Sequence, residues 1–292
     1  MSQIRMIIKN RRSGEECLCG GEELVVVFPY GLSPLASSIE EELQKVRLAE
    51  KLGVDMVKDN SVGRREWFKL LKYVAQEINL PIGASATLAA ANLAVDAGNR
   101  PTEVQIAQEF AKRAIAKGTS IIVGVFGHID PSKTAFFERV RQEIPVPIGG
   151  LGPLATDIAL GYDHINAAIS VVLFRPYLDW VSIITPAEHI GMPNLNDDAD
   201  GITAFNIARH ILDLQSGKGK ERDLRMAEAR TRKLWCAGMP EFSLNPYSLA
   251  VARVAREKWP DGCPLFSASS LNKRAANAFA ALFVFKKSIF WK

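Results

Sequence analysis

Residues 151–191 read LGPLATDIALGYDHINAAISVVLFRPYLDWVSIITPAEHIG, and the succession of patterns in this stretch indicates the fold. Glycines open it, a helical pattern that can break at Gly161 follows, and the apolar strand DWVSIIT comes shortly before His189. A helix that leads into a buried strand is the repeating unit of parallel α/β proteins. In such proteins the functional groups collect at the carboxyl ends of the strands.

The same alternation of strands and amphipathic helices continues upstream of this stretch. Six strands with apolar runs are predicted, near residues 24–28, 54–58, 80–83, 120–125, 145–148 and 180–185. Such runs are typical of a parallel sheet that is covered on both faces. A closed (β/α)8 barrel needs eight strands. We therefore predict an α/β protein with a TIM-barrel-like parallel (β/α) fold of about six βα units, which is incomplete or is closed by another chain, and with C-terminal helices.

Two regions are expected along the chain. Residues 1–235 form the (β/α) domain, and their first 22 residues read as a strand or hairpin that ends in a turn-like GEECLCGG. Residues 236–292 form a C-terminal helical tail, whose end is apolar and basic. This tail reads as a helix docked on the body or on a partner subunit, or as a helix lying on a membrane surface. No stretch reaches the roughly 18 apolar residues of a membrane span.

The composition narrows the class of protein and of ligand. The chain has 292 residues, a net charge of +4 and no basic stripe with interleaved aromatic residues, so nucleic acid is not an expected partner. The mild positive charge favours a small anionic molecule such as a phosphate. Four cysteines are few for this length, and the N-terminus lacks a signal-peptide pattern, so we expect reduced thiols and a cytoplasmic location.

Two histidines follow predicted strands and are candidate metal ligands. His128 ends the strand IIVGVFG, and His189 comes four residues after DWVSIIT. Two neutral imidazoles at one edge suit zinc, iron or cobalt, with Asp130, Asp157, Glu188 or a ligand atom completing the site. The alternative for each histidine alone is a hydrogen-bonded residue at the edge of the sheet.

Other polar and glycine residues are predicted at the same edge. Lys58 and Asp59 end the strand VDMV, with Ser61 just beyond, and Gly149, Gly150 and Gly152 precede a helix. These glycines suit either phosphate binding at a helix N-terminus or a tight βα turn. Asp157 and Asp163 are an acid/base pair or local hydrogen-bonding groups. His210 fits a structural role inside an amphipathic helix, and the Cys17-x-Cys19 pair fits two loop cysteines or a metal site.

Several long motifs resemble one enzyme family. The segments LGPLATDIALGYDHINAAI (151–169), ITPAEHIGMPN (184–194), DGITAFNIARHILDL (200–214) and RDLRMAEAR (222–230) are similar to the phosphomethylpyrimidine synthase family, known as ThiC. Weaker matches upstream are GLSPLASSIEEELQKVRLAEKLGVDMVKDNSVG, LPIGAS and IIVGVFGH. Together these motifs cover most of residues 22–235.

The resemblance implies a TIM barrel and a radical enzyme of thiamine biosynthesis. Such enzymes use S-adenosylmethionine and a [4Fe–4S] cluster, form dimers, and bind a further metal through histidines that correspond to His128 and His189. The family's cluster motif has three cysteines near the C-terminus, whereas WPDGCPLFSASS keeps only Cys263. The resemblance thus implies a retained divalent metal and a homodimer, while the cluster and S-adenosylmethionine are expected to be lost.

The substrate-binding positions of the family also differ here. Its asparagine falls at Pro29, its methionine at Lys58, its two tyrosines at Leu88 and Gly149, and its glutamate at Gly124. Two βα units of the family have no counterpart between LPIGAS and IIVGVFGH. This deletion explains a count of six strands.

Three functions remain open from the sequence. The first is a lyase-like, metal-assisted reaction on a small anionic ligand, in which Lys58 supplies positive charge and Asp59 or Asp157 serves as general base or metal support. The second is a non-catalytic ligand-binding or assembly subunit. The third is the radical S-adenosylmethionine lyase reaction of the family itself.

Overall fold

The computed structural model describes residues 6–9, 13–14, 16–19, 23–33, 37–61, 66–84, 147, 149–150, 156–186, 191–232 and 242–258. The chain divides into two compact units, Met1–Leu212 and Asp213–Lys292. The domain boundary predicted between residues 235 and 236 lies outside the described residues, and so does the strand predicted at 120–125.

A hairpin precedes the main sheet of the first unit. Strands β1 (Met6–Lys9) and β2 (Glu16–Cys19) pair antiparallel, with Ile8 opposite Cys17 and Met6 opposite Cys19. The hairpin prediction is confirmed, but the placement of both cysteines in a turn is wrong. The turn lies earlier, where Gly14 has a positive φ of 70°, a conformation that glycine adopts without strain.

Five described strands form one parallel sheet. They are β3 (Val25–Tyr30), β4 (Met56–Asp59), β5 (Ile82–Ala84), β6 (Gly149–Gly150) and β7 (Trp180–Ser182). Their order is β5-β4-β3-β7-β6, and all pairs are parallel. The parallel α/β class predicted from the sequence is therefore confirmed.

The strand order is that of a barrel rather than of an open doubly wound sheet. The first parallel strand, β3, pairs on one side with the next strand along the chain, β4, and on the other side with the last described strand, β7. A doubly wound sheet would place β6 next to β3 and β7 outside it. The cyclic order, in which the last strand returns to the first, is the arrangement of (β/α) barrels.

One face of the sheet packs against helices and holds the main apolar core. Because successive side chains point to opposite faces of a strand, alternate residues of β3, β4 and β7 reach this core, together with residues of the helices. Its buried members include Val26, Phe28, Tyr30, Val57, Val181, Leu70, Val171 and Phe205.

The opposite face of the sheet is also buried, and we call it the inner face. Val25, Val27 and Met56 lie on it with exposures of at most 1%. This double burial accounts for the continuous apolar run VVVF, which a sheet exposed on one side would not need. The inner face also carries polar side chains, which are described below.

Helices connect the strands and follow their order. Helix α1 spans Ile39–Lys51, α2 Trp67–Glu77, α3 Asp163–Phe174 and α4 Leu195–Gln215, with 3-10 turns at Thr156–Ala159 and Arg175–Tyr177. The sequence predicts α1 as a helix over residues 37–53 with Ser37 or Ser38 as its cap and acidic residues in its first turn. The structure confirms the cap at Ser38, which forms a reciprocal capping box with Glu41. The predicted break at Gly161 is also confirmed, since this glycine has a φ of 84° between the first 3-10 turn and α3.

The second unit contains α5 (Lys220–Arg232) and α6 (Ser248–Lys258). The described side chains of α5 are mostly charged and exposed. Among the described residues, no helix is both long and apolar enough to cross a membrane.

An ion pair ties α4 to the amino-terminal end of the sheet. Arg209 on α4 donates to both carboxylate oxygens of Asp55, at 3.0 and 2.8 Å, and to the Gly53 carbonyl at 3.1 Å. The Asp55 carboxylate in turn accepts the backbone N–H of Val26 at 2.7 Å. Both charged side chains are about one-quarter exposed, so water screens the pair only in part.

Replacing Arg209 with alanine should lower the free energy of unfolding by about 2 kcal/mol, because Asp55 loses the guanidinium nitrogen that binds both of its oxygens in a setting only about one-quarter exposed. Arg209→Lys should lower the free energy of unfolding by an intermediate amount. Lysine keeps the positive charge but lacks the guanidinium group whose two nitrogens bind Asp55 and the Gly53 carbonyl. The measurement is urea unfolding followed by circular dichroism. Arg47→Ala is the matched control, because the Arg47–Glu77 pair is more exposed and should cost less than about 1 kcal/mol. Equal effects at Arg209 and Arg47 would contradict this reading.

Candidate functional site

The carboxyl ends of the parallel strands and the turns that follow them form the strand-end rim. The structure describes Lys58, Asp59, Gly149 and Gly150 there. His128, His189 and Gly152 lie outside the described residues. For Asp157 only the backbone is described, in the 3-10 turn before α3.

Lys58 lies on the inner face near the end of β4. Its neighbour in the sheet is Pro29, and its residue is only 5% exposed. The Lys58 ammonium lies 5.4 Å from the centroid of the Trp180 ring on β7, within the range of a cation–π interaction. The lysine side chain therefore crosses the inner face over β3, and it brings a positive charge into a buried part of the sheet.

Only glycine fits at position 149, because the backbone there lies directly against Trp180. It pairs with Trp180 in the sheet, and a Cβ at position 149 would collide with the Trp180 carbonyl oxygen and with its indole ring. The two glycines were predicted to follow a strand, whereas the structure places both in β6 itself. Close packing on Trp180 explains Gly149 without a ligand, so a phosphate-binding turn would have to begin after Gly150.

Ser182 is a buried polar residue of the inner face that the sequence reasoning did not single out. It lies on β7 opposite Val27, its residue is fully buried, and its hydroxyl has no hydrogen-bond partner among the described residues. A lone serine within the apolar run DWVSIIT was the available signal. A buried hydroxyl without a partner is costly, which makes Ser182 a candidate contact for a ligand.

Asp59 points to the opposite face of β4 from Lys58, toward α1. Its Oδ1 accepts the Ser61 N–H at 2.7 Å, and its Oδ2 has no partner among the described residues. Burial raises the pKa of Asp59 to about 6, with a smaller contribution from Glu42, while the hydrogen bonds from Ser61 oppose the rise. The structure therefore does not bring the Lys58 and Asp59 side chains together on one face.

Hydrogen bonds connect the turns after β3 and β4 beside Asp59. The Ser61 hydroxyl accepts the Leu32 N–H at 3.0 Å, and the Glu42 carboxylate accepts the Gly31 N–H at 2.7 Å. A Cβ at Gly31 would collide with the backbone of Ser61. Lys45 holds the other oxygen of Glu42 at 2.9 Å. These contacts connect the turns after β3 and β4 at this part of the rim.

His164 lies at the start of α3, where that helix leaves the rim. Burial lowers the pKa of His164, against the opposing charges of Asp200 and Asp163. Its Nδ1 has no hydrogen-bond partner among the described residues. Asp163, which the sequence reasoning considered as half of an acid/base pair, is fully buried.

Metal and cluster ligands would come from His, Cys, Asp or Glu side chains that lie close together. Among them, no group of three or more His, Cys, Asp or Glu side chains is arranged to hold a metal ion. Cys17 and Cys19 lie in β2 of the hairpin, and Cys236 and Cys263 lie outside the described residues. For Cys17 and Cys19 only the backbone is described, so the structure places no thiol that could be tested as a ligand of a [4Fe–4S] cluster.

A family profile matches more than half of the chain. The profile of the radical SAM ThiC family covers residues 91–266. The chain belongs to this family. The resemblance stated from the motifs is therefore confirmed.

Individual members of the family give the extent of the match. The chain is 35% identical over 162 residues to a phosphomethylpyrimidine synthase of Caldanaerobacter subterraneus, which covers 53% of this chain and 37% of that protein. A phosphomethylpyrimidine synthase of Thermodesulfovibrio yellowstonii is 32% identical over 222 residues, which covers 72% of this chain and 52% of that protein. The chain thus spans about one-third to one-half of the length of these relatives.

Among solved structures, a DAHP synthase from Thermotoga maritima is similar to the chain with a TM-score of 0.43 and 11% identity, over 71% of this chain and 74% of that one. The parallel barrel-type order of the sheet is established by the strand pairing itself.

Asp59 should make the protein less stable as the pH rises. The pKa of Asp59 is about 6 in the folded protein and 3.8 in the unfolded chain, so the folded state binds this proton more tightly. The protein therefore loses stability as the pH rises from about 4 to about 6. Asp59→Asn removes this titration. Relative to the variant, the wild type should lose up to about 3 kcal/mol of unfolding free energy between pH 4 and pH 7, as measured by urea unfolding. Parallel pH profiles for the two proteins would contradict the assignment.

Proposed function

We propose that this protein performs metal-assisted, lyase-like chemistry on a small anionic ligand at the strand-end rim, as a homodimer, and that it does not make the thiamine pyrimidine. The observation that carries the proposal is Lys58. It places a buried cation on the inner face of a barrel-type sheet, the face on which such proteins bind their ligands near the strand ends.

The surroundings of Lys58 support a ligand with a negative charge. Trp180 provides an aromatic surface next to the ammonium group, and Ser182 provides a buried hydroxyl on the same face. A cation, a hydroxyl donor and an aromatic surface are complementary to a phosphate or carboxylate attached to a planar group. The family's methionine at position 58 would offer no charge, so Lys58 points to a ligand different from that of the family.

His128 and His189 would hold the metal in this proposal. In the sequence, His128 ends the run IIVGVFGH and His189 comes seven residues after the end of β7, so both are expected near the carboxyl ends of strands. Two imidazoles and one carboxylate suit zinc, iron or cobalt. A divalent metal there would polarise a ligand oxygen or acidify a bound water.

Asp157 is the better of the two candidate bases. The pKa of Asp59 near 6 suits proton transfer, but the residue is only 4% exposed and lies on the helix side of β4, beside Ser61 and Glu42. Geometry decides before pKa in such an assignment. We therefore give Asp59 the role of fixing the rim turns, and we give Asp157 the role of general base or metal support.

The radical reaction of the family is the second candidate, because the chain belongs to that family. The family's three-cysteine motif is reduced to Cys263 in this sequence, so no step is assigned to this reaction. A ligand-binding or assembly role without turnover is the third candidate, and it shares the same site.

Elemental analysis of anaerobically purified protein tests the metal proposal. We expect about one zinc, iron or cobalt per chain in the wild type, and loss of that metal in the double variant His128→Ala/His189→Ala, because two ligands are removed. His210→Ala is the matched control, since His210 lies within α4 rather than after a strand, and it should keep the metal.

The other outcomes separate the three candidates. A wild type without bound metal would contradict the metal proposal and favour a binding or assembly protein. Several irons with acid-labile sulfide would contradict it in favour of the radical reaction. Metal that survives in the double variant would show that His128 and His189 are not the ligands.

A further inference from the structure

The register of the sheet brings the end of the Lys58 side chain beside Ser182. Lys58 pairs with Pro29, two residues past Val27. Val27 in turn pairs with Ser182 on β7. The Lys58 ammonium lies 5.4 Å from the ring of Trp180, which comes two residues before Ser182 on the same face of β7. The lysine side chain thus runs across β3, and its nitrogen ends beside the part of β7 that carries the Ser182 hydroxyl.

The Lys58 nitrogen lies where little water reaches it. Lys58 is 5% exposed, Trp180 is 1% exposed and Ser182 is fully buried. The apolar residues of β3 and β4 on the inner face are buried as well. Burial among apolar side chains disfavours a charged amine and favours the neutral amine, which is the nucleophile. Lysines in such surroundings react with carbonyl compounds to form Schiff bases.

Ser182 supplies a hydrogen-bond donor next to this amine. Its Oγ is buried and has no hydrogen-bond partner among the described residues. A hydroxyl in that position is costly unless it bonds to a ligand. Since a hydroxyl both donates and accepts, Ser182 can hydrogen-bond a carbonyl oxygen and the hydroxyl that forms from it.

We propose that Lys58 forms a Schiff base with a small oxo acid, and that Ser182 hydrogen-bonds the carbonyl oxygen of this ligand. The inference rests on the proposed function, because it names the class of anionic ligand that the Lys58 site takes. An oxo acid carries a carbonyl group and a carboxylate. Its carboxylate neutralises the positive charge of the Schiff base inside the buried site, which an uncharged aldehyde of the same size cannot do.

The step conserves atoms and charge without a co-reactant. The Lys58 nitrogen forms a bond to the carbonyl carbon, and the bond between that carbon and its oxygen breaks. Two protons of the ammonium group leave with the oxygen as water, and the product is a protonated imine. Nothing is oxidised or reduced. The Trp180 ring stabilises this cation as it stabilises the ammonium group. A protonated imine withdraws electrons from the adjacent carbon–carbon bond, as lyase-like chemistry requires.

Reductive trapping of the full-length protein with glyoxylate and cyanoborohydride tests the proposal. Cyanoborohydride supplies the hydride that converts the imine to a stable amine, and peptide mass spectrometry detects the resulting carboxymethyl group. Labelling at Lys58 should exceed labelling at Lys51, an exposed lysine of α1, at least about 10-fold, because the site holds the aldehyde next to the amine. In urea-unfolded protein the two lysines should label equally. Acetaldehyde, which lacks the carboxylate, should show no preference for Lys58.

Two variants separate the roles of the lysine and the serine. Lys58→Arg keeps a positive charge but has no amine that forms an imine, so the adduct at position 58 should disappear. Ser182→Ala should slow labelling of Lys58 about 10-fold, because the carbonyl oxygen loses its hydrogen bond. Ser182→Thr keeps the hydroxyl and should restore most of the rate. Circular dichroism checks that each variant is folded.

Competition with pyrophosphate distinguishes this inference from the proposed anion site. Pyrophosphate should lower the labelling of Lys58 and leave that of Lys51 unchanged. Equal labelling of the two lysines in the folded protein, together with pyrophosphate binding that requires Lys58, would overturn the Schiff base and leave the anion site standing. Equal labelling without any pyrophosphate binding would contradict both.

Discussion

Strand β3 has a paired neighbour on each side, β7 along Val25–Val27 and β4 along Val27–Tyr30, and the rest of the first unit depends on this double pairing. Its neighbours are β4, the next strand in the chain, and β7, more than 120 residues later. A central parallel strand is buried on both faces, so it must be apolar throughout, as VVVF is. The closure from β7 back to β3 also brings Trp180 near Lys58, two residues that are far apart in the chain.

The burial of both faces separates two kinds of polar group at the rim. On the inner face, Lys58, Trp180 and Ser182 are the buried groups of the anion site that we propose. On the helix face, Asp59 is held with the turns after β3 and β4, and its burial raises its pKa. Adjacent residues of one strand thus have different roles because the side chains of a strand alternate.

Local signals in the sequence were sufficient to predict the helices that the structure describes in the first unit, and the parallel α/β class. The Ser38 cap, the acidic first turn of α1 and the break at Gly161 depend on neighbouring residues, and the structure confirms them. The strand order, the face on which Lys58 lies and the close approach of Gly149 to Trp180 depend on contacts between distant segments. The exposure of Ile165, Ile169 and Leu173 on α3 could not be predicted for the same reason, because the sequence of an apolar helix does not show which of its apolar residues are buried.

We propose that Lys58 makes the inner face a site for an anionic ligand. Isothermal titration with inorganic pyrophosphate, for the wild type and Lys58→Met, tests it most directly, because methionine has a similar length and no charge. The wild type should bind pyrophosphate, and the affinity of Lys58→Met should be about 10- to 100-fold lower, which corresponds to the loss of one charge-assisted hydrogen bond. Equal affinities for the two folded proteins, or a wild type that binds no anion, would contradict it.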